Sequence, residues 1–123
     1  MAAVVKTIAA ISLVYDLTAG VGLLLLPRVL PEVVGVAIPE PRIFLELNAL
    51  FLIAIGVGYW LPYRDPAAYR GYVWIFGVVL KAAGAAAFVV DLAWRDGPAA
   101  MALFAAGDAS IAALSLAALL ARR

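Results

Sequence analysis

Three side chains in this 123-residue chain place charge in the middle of long apolar stretches: Asp16, Lys81 and Asp108. An ammonium between two carboxylates can lock helices together as an ion pair, relay a proton or ion, or meet the polar end of a ligand. An ionisable group at the centre of a bilayer costs about 2.5–3.5 kcal/mol on insertion scales, so Lys81 calls for a partner or a wet pocket, and the two aspartates are the partners on offer. Ser12 joins this candidate binding set because Ser12, Asp16 and Gly20 recur every fourth residue and share one helix face. Asn48 joins it through a second such stripe, Asn48, Leu52 and Gly56. Glu46 is the sixth candidate, although a carboxylate in the first turns of a helix also has a plain explanation in the helix dipole.

Other chemistry is narrowed by what the chain lacks. It contains no cysteine and no histidine, which removes disulfides, thiol redox steps and the usual ligands of haem, zinc and copper. Neither a metal nor a cofactor is expected. Catalysis would fall to Asp, Glu, Lys or Tyr, and no glycine-rich phosphate loop or nucleophile elbow is present. An acid-catalysed isomerase or cyclase could use the carboxyls, but nothing in their spacing selects one, and no catalytic residue is assigned.

The elements that must position these groups follow from hydropathy. Hydrophobic residues make up 67% of the chain and charged residues 14%, against roughly 45–50% and about 25% in a soluble domain. Four apolar runs, over about residues 3–26, 41–61, 72–94 and 98–120, are each long enough to cross about 30 Å of hydrocarbon as a helix. The fold class is therefore all-α: one domain, an antiparallel bundle of four transmembrane helices. The first run carries Asp16 and ends in Leu-Leu-Leu-Leu-Pro instead of a small-residue cleavage site, so it reads as a retained helix and not a signal peptide.

Proline and glycine punctuate the runs. Pro27 and Pro62 should end the first and second helices. Pro31 to Gly35 reads as one interfacial turn, with proline at its start and glycine at its end. Tyr59-Trp60-Leu61-Pro62-Tyr63 reads as an aromatic interface anchor, and Tyr63, Tyr69, Tyr72 and Trp74 should form one side of an aromatic belt. Gly77, Lys81, Gly84 and Phe88 fall on one face of the third helix, so glycines flank the lysine. Tyr15 is expected to face lipid or a neighbouring helix, and Asp91 to be interfacial. Lys6, Arg64, Arg70, Arg122 and Arg123 lie on the side of the termini, against Arg28, Arg42 and Arg95 on the other, which places both termini in the cytoplasm.

The order of these features resembles the small four-helix bacterial membrane proteins grouped as DoxX-like: a first helix ending in proline, the Leu-Pro-Glu-Val-Val-Gly turn, a second helix ending in Gly-Val-Gly-Tyr-Trp, a central lysine in helix three and an aspartate in helix four. The resemblance covers nearly the whole chain. It implies a multi-pass protein of the bacterial cytoplasmic membrane, often an accessory one, and marks Lys81 and Asp108 as pocket residues. Some such proteins are associated with thiosulfate:quinone oxidoreduction.

The leading functional expectation is a binding module, in which apolar helix faces surround the body of a quinone, isoprenoid or lipid and the polar centre meets its head. A proton- or ion-coupled transporter and a structural subunit of a larger membrane complex are the alternatives. Membrane lipids are expected partners, and a homodimer could form through the small-residue rows Ala102, Ala106, Ser110 and Ala105, Ala109, Ala113. A net charge of +1 gives no reason to expect nucleic acid.

Overall fold

A computed structural model describes residues 2–121 of the chain. Among them the regular structure is all helical, and four helices are long and apolar enough to cross a membrane: α1 (Ala2–Leu25), α2 (Arg42–Arg64), α3 (Arg70–Trp94) and α4 (Ala100–Leu120). At most 33% of the most apolar stretch of any of them is buried within the chain. Side chains such as Val14, Phe44, Trp94 and Leu103 stand on the outside. A soluble domain of this size would turn such residues inward.

The α1–α2 connection is set by proline and glycine. A helical turn of the wide π type spans Leu30–Val34 and ends at Gly35, whose φ of 79° is left-handed. The Gly35 and Val36 N–H groups both donate to the Leu30 carbonyl, which closes the turn. Arg28 pairs with Glu32 on its outer side. Asp96, at φ 51°, makes the short reversal between α3 and α4, where the Gly97 N–H donates to the Asp91 carbonyl at 2.9 Å.

α2 does not stop at Pro62. The helix falters at Tyr59, whose N–H is shared between the Ile55 and Gly56 carbonyls, and a new turn, Trp60–Arg64, follows. Pro62 is the third residue of that turn, where its missing N–H removes no regular helical bond, so proline is tolerated and the helix runs on. α3 contains a π-wound run, Val73–Val79, closed by the Leu80 N–H on the Ile75 carbonyl. One inserted residue turns everything beyond it by roughly 100° relative to a regular helix. This run ends two residues before Lys81 and so fixes the direction in which the lysine points.

α1 packs closely on α2 because glycines remove side chains from the contact. A Cβ on Gly20 would stand 2.8 Å from both the Ala49 carbonyl oxygen and Ile53 Cγ1, and one on Gly56 would stand 3.1 Å from Leu17. α3 packs on α4 in a similar way, with Gly77 against Ser115, Gly84 against Asp108 and Phe88 on Phe104. The two pairs join at the end that carries the N-terminus. There Val5, Ile8, Val73, Ala118 and Leu119 form the buried apolar core. Arg70 donates to the Leu119 carbonyl at 2.5 Å, and the Tyr72 hydroxyl donates to the Ile55 carbonyl at 2.5 Å. Lys6 sits over the Tyr63 ring at this same end, while Arg122 and Arg123 lie outside the described residues. Beyond it, α2 and the Leu80–Trp94 half of α3 pack only sparsely.

Candidate functional site

The separation of α2 from α3 opens a groove of about 760 Å³ to which all four helices contribute. Tyr15 and Leu23 come from α1, and Asn48, Phe51 and Ile55 from α2. α3 supplies Phe76, Lys81 and Phe88, and α4 supplies Phe104 and Asp108. Val29 and Val34 of the interfacial turn close one end. The walls are aliphatic and aromatic, and charge is confined to Lys81 and Asp108.

The three mid-helix ionisable groups meet, but unequally. Lys81 Nζ donates to Asp16 Oδ1 at 2.5 Å, with the two side chains 5% and 0% exposed. Asp108 Oδ1 lies 3.9 Å from the same ammonium, and its side chain is 16% exposed. Lys81 therefore has a tight, buried partner behind it and a looser one on the groove wall. Gly84 makes room for the second: a Cβ there would stand 2.5 Å from Asp108 Oδ2. If all three groups ionise, the cluster carries one net negative charge. Among the described residues no group of three or more carboxylates gathers as metal ligands.

Tyr15 completes the site, although the sequence alone places it against lipid or a neighbouring helix and not among the six candidates. Lys81 Nζ sits 5.1 Å from the centre of its ring, and its hydroxyl lies against Gly107 of α4. The tyrosine is neither purely lipid-facing nor a mere packing contact: it forms part of the wall beside the ammonium. Its neighbour Asp16 points inward, and a step of one residue turns a side chain by roughly 100°, which brings Tyr15 to the groove only because α4 lies there.

The remaining candidates separate. Ser12 is fully buried one turn from Asp16, beneath the groove and not on its wall. Asn48 lines the groove on the opposite side, and Glu46 is part-exposed on α2 and does not line it. Neither Ser12 nor Asn48 hydrogen-bonds a carboxylate among the described residues. Tyr59, read from sequence as part of an interface anchor, is instead fully buried and packs edge-on against Tyr72, with ring centres 5.0 Å apart. The Tyr72 ring also lies against Gly58, where a Cβ would clash with it. Ser12 Oγ, Asp16 Oδ2, Tyr59 OH and Ser115 Oγ are buried with no hydrogen-bond partner among the described residues. Each such atom carries a desolvation cost of about 1–3 kcal/mol, so this layer below Lys81 is a polar one set into an apolar core.

No protein family model matches the chain, and no curated protein or solved structure matches it.

Proposed function

We propose that the chain is a multi-pass membrane protein whose four helices form an antiparallel bundle, and that its groove binds one small amphiphile. The apolar body, as in a quinone, an isoprenoid or a lipid chain, lies between α2 and α3 against Phe51, Phe76, Phe88 and Phe104. Its polar end meets Lys81, Asp108 and Tyr15. The observation that carries this reading is the groove itself: apolar walls from all four helices converging on a single charged spot.

The membrane setting is supported by the four apolar spans and by large hydrophobic side chains around their outer faces. Opposite chain directions are supported by contact order: Gly20 meets Ala49 and Ile53 whereas Leu17 meets Gly56, and Gly77 meets Ser115 whereas Gly84 meets Asp108. The DoxX-like order of features favours the bacterial cytoplasmic membrane. Termini on the cytoplasmic side rest on the excess of Lys and Arg there, to which Arg122 and Arg123 contribute. Native mass spectrometry of protein released from its own membrane tests the reading. A retained amphiphile at one per chain is expected; bare protein, together with no uptake of added quinone, isoprenol or lipid, refutes it.

A second reading, proton or ion transport, is favoured by the buried hydroxyls of Ser12, Tyr59 and Ser115, which have no hydrogen-bond partner among the described residues. Flux into proteoliposomes, compared with Lys81→Met and Asp108→Asn, decides it. Equal flux in all three proteins rejects the relay.

A further inference from the structure

We infer that the amphiphile accepted by this groove carries a single positive charge, and that Asp108 receives it in exchange for a proton; this rests on the binding reading above. The inference comes from how the three charges are divided. Asp16 is wholly buried and holds Lys81 at 2.5 Å, so the charges of that pair offset one another within the protein. Asp108 is the charge left over. It is the carboxylate that reaches the groove, at 3.9 Å from an ammonium already engaged behind it.

The groups facing Asp108 sharpen this. α3 contributes Lys81 and the bare backbone of Gly84, α1 contributes Tyr15 and, behind it, Asp16, and the α2 wall of Asn48, Phe51, Leu52 and Ile55 contributes nothing that titrates. No second cation therefore balances Asp108 from the opposite wall. A lone excess carboxylate in an apolar surround is neutral only when it holds a proton or a cation. An anionic ligand would add to the excess charge, and a neutral one would leave it unchanged.

The walls suit a cation as well. Tyr15, Phe51, Phe76, Phe88 and Phe104 line the same groove as the carboxylate, and aromatic rings attract organic cations through their quadrupoles. The Tyr15 ring already has an ammonium 5.1 Å from its centre. The exchange balances: protonated Asp108 gives up its proton as the cation arrives, and the site stays neutral before and after. α2 and the Leu80–Trp94 half of α3 pack only sparsely, which leaves the groove open between them, while the Tyr72–Ile55 hydrogen bond joins α2 to α3 nearer the core end.

A pair of probes with the same triphenyl body tests this: methyltriphenylphosphonium, which is cationic, and triphenylphosphine oxide, which is neutral. Binding to the full chain in nanodiscs of uncharged lipid is measured calorimetrically in buffers of different ionisation enthalpy. The phosphonium is expected to bind roughly tenfold tighter than the oxide or better, to release about one proton per cation bound, and to weaken as pH falls. Asp108→Asn should abolish both the preference for the phosphonium and its proton release, and Asp108→Glu should restore both. Equal binding of the two probes, or phosphonium binding without proton release, overturns the cation assignment while leaving the amphiphile reading in place. Binding of neither probe, nor of any amphiphile added by the same route, overturns both. If Asp108→Asn fails to fold, proton release by the unaltered protein and the Asp108→Glu preference decide the matter.

Discussion

Replacing Lys81 with methionine keeps an unbranched side chain, one atom shorter, and removes the cation that both mid-helix carboxylates face. Asp16 then lies fully buried with no partner for either oxygen, since Oδ2 has none to begin with. Removing one member of a buried pair costs about 3–5 kcal/mol, because the charge left behind is uncompensated. That is a fifth or more of the roughly 5–15 kcal/mol that holds a typical domain folded. Asp16→Asn should cost less, as Lys81 keeps Asp108 at 3.9 Å. Asp108→Asn should cost least, because its contact with Lys81 is long and the amide removes the excess negative charge of the cluster. Combining Lys81→Met with Asp16→Asn should recover much of the loss, with a coupling of about 2 kcal/mol or more between the two sites. Denaturant unfolding in mixed micelles, followed by helical circular dichroism, gives all four values. A Lys81→Met protein within about 1 kcal/mol of the original, or single costs that simply add in the double variant, would refute the division of the cluster into a buried pair and a groove-facing acid.

Other substitutions probe the frame around the site. Gly20→Ala should cost about 1–3 kcal/mol by forcing α1 from the α2 backbone, whereas Gly22→Ala, whose Cβ meets nothing within 4 Å, should be neutral or gain about 0.5–1 kcal/mol. Both are read from the unfolding midpoint. Tyr72→Phe should cost about 0.5–1.5 kcal/mol through the lost bond to the Ile55 carbonyl, and should speed amide exchange near Ile55 as the clasp between α2 and α3 loosens. Tyr59→Phe should leave stability unchanged or raise it, because the hydroxyl removed is buried without a partner; a loss above about 2 kcal/mol would show that the hydroxyl makes a strong bond.

Much of the frame could be read from the residues themselves. Helix lengths follow from the apolar runs, and the stripe of Ser12, Asp16 and Gly20 identifies a helix face that is buried along its length. Lys81 between Gly77 and Gly84 marks the close approach to α4. What sequence periodicity does not carry is the azimuth of one helix relative to another. Tyr15 reaches the groove because of where α4 runs, and the phenylalanines on three helices form one wall only after those helices are placed. Pro62 misleads in a different way. Its effect depends on where the helix restarts, and the hitch at Tyr59 makes it an early residue of a fresh turn. Glu46 and Asn48, two residues apart on α2, face different surroundings, and only Asn48 borders the groove.

The account rests on the groove between α2 and α3 being an amphiphile site that ends at Lys81 and Asp108. Photo-crosslinking addresses it most directly: an amphiphile with a diazirine in its apolar body is activated in the reconstituted protein, and the labelled residues are located by peptide mass spectrometry. Labels concentrated on Phe51, Leu80, Phe88 and Phe104, and competed away by excess unlabelled amphiphile, are the predicted result. Labels spread evenly over outward residues such as Val14, Phe44 and Leu103, with no competition, would contradict it.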